Sequence, residues 1–170
     1  MLLSNYLLSG GVKPYLEYAW VCAPNAAGQS ITPNTITTLT IDTEVADTGN
    51  NGSIAGNQIT LAAGTYYFEA NVRVTNTNGD LNPFIFSLYN TSDSSYISRI
   101  EDMFGYNWNQ TTILKGQFTI SSSKNFVLQL IATTASGTIV VRSGDSYRIN
   151  FTNSTAGADQ RTTIKLWKLA

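Results

Sequence analysis

With no histidine in the chain, its eleven Asp and Glu residues are the first candidates for acid–base work. Without His, the Ser-His-Asp and Cys-His constellations are excluded, and the commonest transition-metal ligand is missing as well. Glycoside hydrolysis needs two carboxyl groups set across a sugar. Glu101-Asp102 is the most suggestive pair, because it lies beside Met103, Phe104, Tyr106 and Trp108, where a sugar could stack. Adjacent side chains on an extended chain point to opposite faces, which favours a solvated acidic loop over a catalytic pair. Asp42, Glu44 and Asp47 come nearest to a calcium-binding run, but no glycine stands where an EF-hand loop requires one, so solvated loop acids are the plainer reading. Cys22 is the single cysteine. It has no intrachain disulfide partner and no CxxC companion, and is expected to be a structural thiol. Neither a P-loop nor a GxGxxG ahead of a helix is present. The expectation is a protein that is not an enzyme, with no catalytic residue, cofactor or metal.

Binding is carried instead by aromatic residues, whose flat apolar face and polar tip suit sugars and protein interfaces. Tyr96, Tyr106, Trp108 and Trp167 are the candidates, against the alternative that such rings fill a core. Tyr106 and Trp108 are the preferred ligand-binding residues, because the segment Arg99 to Asn109 reads as a long polar-aromatic loop. Net charge is −1 and the ten Lys and Arg residues are scattered, so no basic stripe could track a phosphate backbone and nucleic acid is not an expected partner. Met1 to Leu8 is apolar but lacks a basic n-region and is interrupted by Gly10-Gly11, which argues against a signal peptide and against membrane insertion.

These residues must be positioned by strands. A chain of 170 residues falls in the one-domain range and can bury a sizeable core. Charged residues make up 12%, about half the globular norm, and Thr, Ser, Asn and Gly replace them. Tyr66 to Thr75 alternates strictly: Tyr66, Phe68, Ala70, Val72 and Val74 on one face, Tyr67, Glu69, Asn71, Arg73 and Thr75 on the other. That period of two predicts a half-buried strand. Similar alternation marks Thr38 to Asp42, the run Phe84, Phe86 and Leu88, and the run Leu114, Phe118 and Ile120. It recurs in Phe126 to Ala132, Ile139 to Val141, Tyr147 to Phe151, and Ile164 with Leu166. Ser121 to Asn125 reads as a hairpin loop between two of these runs. No strand is followed by the helical pattern that a βαβ unit needs, so the layout predicts an all-β antiparallel sandwich or jelly roll. The domain is drawn as residues 19–170, with residues 1–18 as an N-terminal arm that is either a core strand or a tether.

At the best-patterned strand the sequence reads Gly56-Asn57-Gln58-Ile59-Thr60-Leu61-Ala62-Ala63-Gly64-Thr65-Tyr66-Tyr67-Phe68. This resembles the C1q and tumour-necrosis-factor-like family, in which a glycine is followed eight residues later by a G-x-Y-x-F core strand. Gly144-Asp145-Ser146-Tyr147-Arg148-Ile149 is similar to the family's Gly-Asp turn before a late strand, and Ile164 to Leu169 stands in the place of its last strand. Gln58 departs from the family's phenylalanine, and a one-residue shift here would exchange the two faces. Leu88 to Asp93, Leu114 to Ile120 and Ser123 to Phe126 are similar in texture to C1q-like heads of bacteriophage fibres and other virion proteins.

The resemblance implies a C1q/TNF-like jelly roll that assembles as a homotrimer, with Tyr67 and Glu69 on the face turned toward the neighbouring subunit. It further implies a virion protein whose arm, about Met1 to Lys13, joins other virion proteins and whose head adheres to a host cell-surface glycan. A capsid decoration or cement protein without a host ligand, and a secreted C1q-like binding module, are the alternatives. A glycan-cleaving enzyme is the remaining one.

Overall fold

A computed structural model describes residues 13–22, 28–76, 82–104, 109–132, 139–141 and 159–170. Thirteen strands occur among them: β1 (Tyr15–Cys22), β2 (Gln29–Ile31), β3 (Thr37–Thr38), β4 (Thr43–Asp47), β5 (Gly52–Ala55), β6 (Gln58–Leu61), β7 (Gly64–Asn76), β8 (Asn82–Asn90), β9 (Ser95–Phe104), β10 (Asn109–Ile120), β11 (Lys124–Ala132), β12 (Ile139–Val141) and β13 (Asp159–Lys168). All their pairings are antiparallel. They form two sheets, one of seven strands and one of six. In the first, β7 pairs along its length with β10. The other edge of β7 is shared by β13, along Tyr66–Val72, and β12, along Val74–Asn76. Beyond β13 lie β1 and β4. The second sheet runs β5-β6-β11-β8-β9, with β3 beside β11.

The alternation read from the sequence is what closes the sandwich. Tyr66, Phe68, Ala70, Val72 and Val74 are all fully buried, and they meet Phe84, Phe86, Leu128 and Leu130 of the opposite sheet in one core. Phe118 is the hinge of the aromatic packing, with ring centroids 5.6 Å from Tyr66, 5.9 Å from Phe68 and 5.2 Å from Phe126. Such ring pairs add about 0.5–1.5 kcal/mol each beyond their buried area. The Tyr66 hydroxyl donates to the Ala62 carbonyl at 2.8 Å. Burial, with Asp47 nearby, pushes its pKa up to about 12, so it stays a neutral donor.

Three readings are sharpened or corrected. The expected strand Thr38 to Asp42 is not continuous: Leu39 and Ile41 are buried as the alternation required, but these residues carry the chain from β3 in one sheet to β4 in the other, and only isolated bonds hold them, such as Leu39 N–H to the Leu128 carbonyl at 2.8 Å. Arg99 to Asn109 is not one long loop. Arg99–Phe104 continues β9 and Asn109 opens β10; its polar character comes from a strand at the sheet edge with Arg99, Glu101 and Met103 exposed. Tyr15–Tyr18, drawn in the arm, belong to β1, where Leu16 and Tyr18 are fully buried. Of the rest of the arm, Lys13 donates to the Leu169 carbonyl at 2.9 Å, and residues 1–12 lie outside the described residues, as does the expected strand Tyr147 to Phe151.

The register question at Gln58 is also answered. Gly56 and Asn57 both have positive φ, 56° and 66°, which is the type I′ hairpin geometry that glycine and asparagine favour. That turn pairs Ala55 with Gln58 and sends Ile59 and Leu61 inward, both about 1% exposed, while Gln58 Nε2 donates to Thr91 Oγ1 at 3.1 Å. Gly116 serves the core differently. It faces Phe68 across β10 and β7, and a Cβ there would lie 2.8 Å from Phe68 Cε1. The Phe68 ring is enclosed and cannot retreat, so Gly116→Val should lower stability by about 1–3 kcal/mol through overpacking. Urea unfolding measures this as a fall in midpoint at constant slope; an unchanged midpoint would show that the core at Phe68 is looser than described.

Candidate functional site: the outer face of the seven-stranded sheet

The strand that builds the core also builds the site, because its odd-numbered residues face away from the core. Register then assembles them into rows across four strands. Tyr15, Trp167, Tyr67 and Gln117 form one row, and Glu17, Lys165, Glu69 and Lys115 form the next. The following row holds Ala19, Thr163, Asn71 and Ile113, and beyond it Arg73 pairs with Thr111.

The first row is an aromatic strip. Trp167 sits between Tyr15 and Tyr67, with ring centroids 5.4 and 5.7 Å away. The second row alternates in charge, acid, base, acid, base, as opposed cross-strand charges should. Lys115 Nζ lies 3.2 Å from Glu69 Oε1 and Lys165 Nζ lies 3.9 Å from Glu17 Oε1. The two rows are tied by hydroxyls: Tyr67 donates to Glu69 Oε1 at 2.9 Å, and Tyr15 donates to Glu17 Oε2 at 2.6 Å. Partial burial alone would raise the pKa of Glu69. The Tyr67 hydroxyl, the hydrogen bond and charge of Lys115, and the charge of Lys165 outweigh it and hold the carboxyl below its usual range. Tyr67 is shifted up, by burial first and then by its bond to Glu69.

The third row contributes one exposed apolar residue. Ile113 is 49% exposed on β10, which among the described residues pairs with β7 alone within this sheet. Arg73 Nε in the row beyond is buried without a hydrogen-bond partner. Among the described residues of this face the tyrosine hydroxyls are already donated to the carboxylates. Its Glu residues are occupied as acceptors, and its character is that of a contact surface: aromatic strip, charge row, exposed isoleucine.

Of the residues named from sequence, Tyr67 and Glu69 are brought together here, and Trp167 joins them. Tyr106 and Trp108 lie outside the described residues. Tyr96 is on the other sheet, 47% exposed, with its ring 5.0 Å from that of Tyr89. Glu101 is exposed, whereas Asp102 accepts from Thr112 Oγ1 at 2.6 Å. The three acids near residue 45 do not converge: Asp47 caps a turn by accepting from the backbone of Gly49 and Gly52 at 3.1 and 2.9 Å, and Asp42 accepts from Thr43 Oγ1 at 2.9 Å. Among the described residues no group of three His, Cys, Asp or Glu could hold a metal ion. Sequence reading missed Tyr15, Glu17, Ile113, Lys115 and Lys165. The face alternate to Leu114 and Phe118 was the available signal for Ile113 and Lys115.

No protein-family model matches the sequence, and no curated protein does. Solved structures do. The crystal structure of murine APRIL at pH 5.0 matches with a TM-score of 0.57 at 12% identity, covering 93% of this chain and 100% of that one. The same murine protein at pH 8.5 gives 0.54 at 11% identity with the same coverage. The globular domain of zebrafish complement C1qA gives 0.51 at 11% identity, covering 94% of this chain and 98% of that one. The fold is the C1q/TNF-like jelly roll. At this level of identity the likeness is one of architecture, and the C1q/TNF-like sandwich carries its own side chains on its outer faces.

The charge row has a pH signature. Because the folded pKa of Glu69 lies below its unfolded value, the ionised carboxylate stabilises the fold above the unfolded pKa, and this contribution is lost as pH falls through the folded one. Lys115 is 53% and Glu69 34% exposed, so solvent screening limits the effect to at most about 1 kcal/mol. Glu69→Gln should therefore be slightly less stable than the parent at pH 7, with the difference narrowing as the solution is acidified toward pH 3. Urea midpoints at the two pH values test this. A difference that does not change with pH would mean that the charge of Glu69 is irrelevant to it.

Proposed function

We propose that the protein is a non-enzymatic binding head that assembles as a homotrimer. The outer face of the seven-stranded sheet is turned toward the threefold axis, and the head is displayed on a bacteriophage virion, where it adheres to a host-surface glycan. One observation carries the assembly: an aromatic strip, a charge row and the exposed Ile113 lie side by side on one sheet face that ends in a strand with a single partner in that sheet among the described residues. A sheet edge and an apolar patch of this kind are hazards in a monomer and assets in a closed symmetric assembly, which covers them without leaving any free to recruit further copies. The resemblance of the Gly64 to Phe68 strand to a family of trimers supports the same arrangement.

The virion and adhesive parts rest on the phage-like texture of Leu88 to Asp93, Leu114 to Ile120 and Ser123 to Phe126. Three copies of each outward site around one axis raise avidity for a repeated ligand even where each site is weak. Residues 1–13 are the proposed attachment to other virion proteins.

Light scattering on the intact protein should give three times the 18.5 kDa mass of the chain. Replacing Ile113 and Tyr67 together by Arg should reduce it to the single-chain mass while the β-sheet circular dichroism persists. A single-chain mass for the parent protein, or a trimer that survives the double substitution, would sink the assembly. Adhesion is tested separately: the purified head should bind host cells and compete with phage for them.

A further inference from the structure

The outer face of the six-stranded sheet, away from the rows described above, carries a cleft of about 170 Å³. Its floor follows from register. Gln129 of β11 lies opposite Ser87 of β8, which lies opposite Arg99 of β9. Ile131 and Ile85 face each other one step along the same strands, and with Ile36 they make an apolar wall. The opposite wall is Tyr96 with Arg99.

That second wall exists because of a β-bulge. Three residues apart on a regular strand, Tyr96 and Arg99 would point to opposite faces. The register slips here: Ser98 faces Leu88 and Tyr96 faces Tyr89, so Ile97 is an extra residue, and it packs against the core. The bulge re-aims Tyr96 onto the face of Arg99, the kind of side-chain redirection that bulges supply at functional sites. The Arg99 guanidinium carbon then stands 6.0 Å from the Tyr96 ring centroid.

Two groups in this cleft are left with bonding capacity among the described residues. Arg99 is exposed and has no carboxylate partner among the described residues. Gln129 Oε1 is buried and accepts no hydrogen bond, a state that costs about 1–3 kcal/mol unless a donor arrives. The complementary ligand has an anionic planar group for the guanidinium fork, an apolar face for Tyr96 and the isoleucine wall, and a hydroxyl to donate to Gln129. The volume is below the roughly 300–1,000 Å³ of drug-sized sites, so it admits one ring. We propose that this cleft binds a single carboxylated pyranose, the acidic sugar residue of a surface glycan. The carboxylate sits on Arg99, the ring lies on Tyr96, and a ring hydroxyl donates to Gln129 Oε1 once the amide, shielded from solvent in the free protein, turns toward the cleft. This rests on the adhesive reading above and names the ligand class and the site.

The test is ligand-observed NMR and calorimetry on the intact protein with D-glucuronic acid and N-acetylneuraminic acid. Glucose and galactose serve as neutral controls, and inorganic phosphate serves as a bare anion. The sugar acids should bind weakly, with Kd on the order of millimolar, and the neutral sugars and phosphate at least about tenfold more weakly. Arg99→Gln should remove the preference for acids, and Gln129→Leu, which swaps an unpaired acceptor for an apolar group, should cost about tenfold in affinity with no loss of fold. Three results overturn the proposal: no sugar acid binding at about 10 mM, equal binding of neutral sugars or phosphate, or acid binding that survives Arg99→Gln. Cell binding separates the two readings. Adhesion that is undiminished in Arg99→Gln leaves the adhesive role standing and removes the cleft; sugar acid binding without cell binding does the reverse.

Discussion

Register at β7 is the constraint on which the rest of the molecule depends. Its pairing with β10 and β13 sets Tyr67 between Gln117 and Trp167, and Glu69 between Lys115 and Lys165. A slip of one residue would turn Phe68 outward and Glu69 inward. The fold would then lose a fully buried aromatic and bury a carboxylate away from its lysines, a cost of several kcal/mol. Core packing and surface chemistry are therefore one decision, taken at a single strand. Gly116 shows how tightly it is taken, since the space opposite Phe68 is filled by the ring itself.

What could be read from the sequence followed from this coupling. Strict alternation from Tyr66 to Thr75 reveals β7 and both its faces, and so places Tyr67 and Glu69 together before any coordinates. The antiparallel jelly roll follows from the repeated short strands and the absence of helical stretches between them. The neighbours of Tyr67 and Glu69 are a different matter. Trp167, Lys165, Lys115 and Tyr15 reach that face through strand pairings far apart along the chain, and local periodicity carries no information about partners.

The misreadings have local causes. In β9 the segment Arg99–Phe104 keeps a regular register at the sheet edge, with Arg99, Glu101 and Met103 exposed and Asp102, bonded to Thr112, on the alternate side, so a strand reads as a polar segment. Between β3 and β4 the converse holds. Leu39 and Ile41 alternate like a strand because both are buried, yet the chain there is crossing from one sheet to the other and has no continuous partner. The Gln58 departure resolved through the Gly56-Asn57 turn, whose positive φ values set the pairing of Ala55 with Gln58 and leave Ile59 to fill the inward position.

The sandwich thus has two outer faces of different character. One offers aromatic rings, alternating charge and an exposed isoleucine, and suits a second copy of the chain; the other offers a bulge-made cleft whose guanidinium has no carboxylate partner among the described residues, and suits a small ligand held outward. In the proposed trimer, covering the first would leave the second free and present it three times. The most direct measurement is a crystal structure of the protein as it assembles in solution. It should show Tyr67, Glu69 and Ile113 buried between neighbouring subunits around a threefold axis, with the six-stranded sheet facing solvent. An assembly that meets through the six-stranded sheet, or one that leaves Tyr67 and Ile113 solvated, would contradict it.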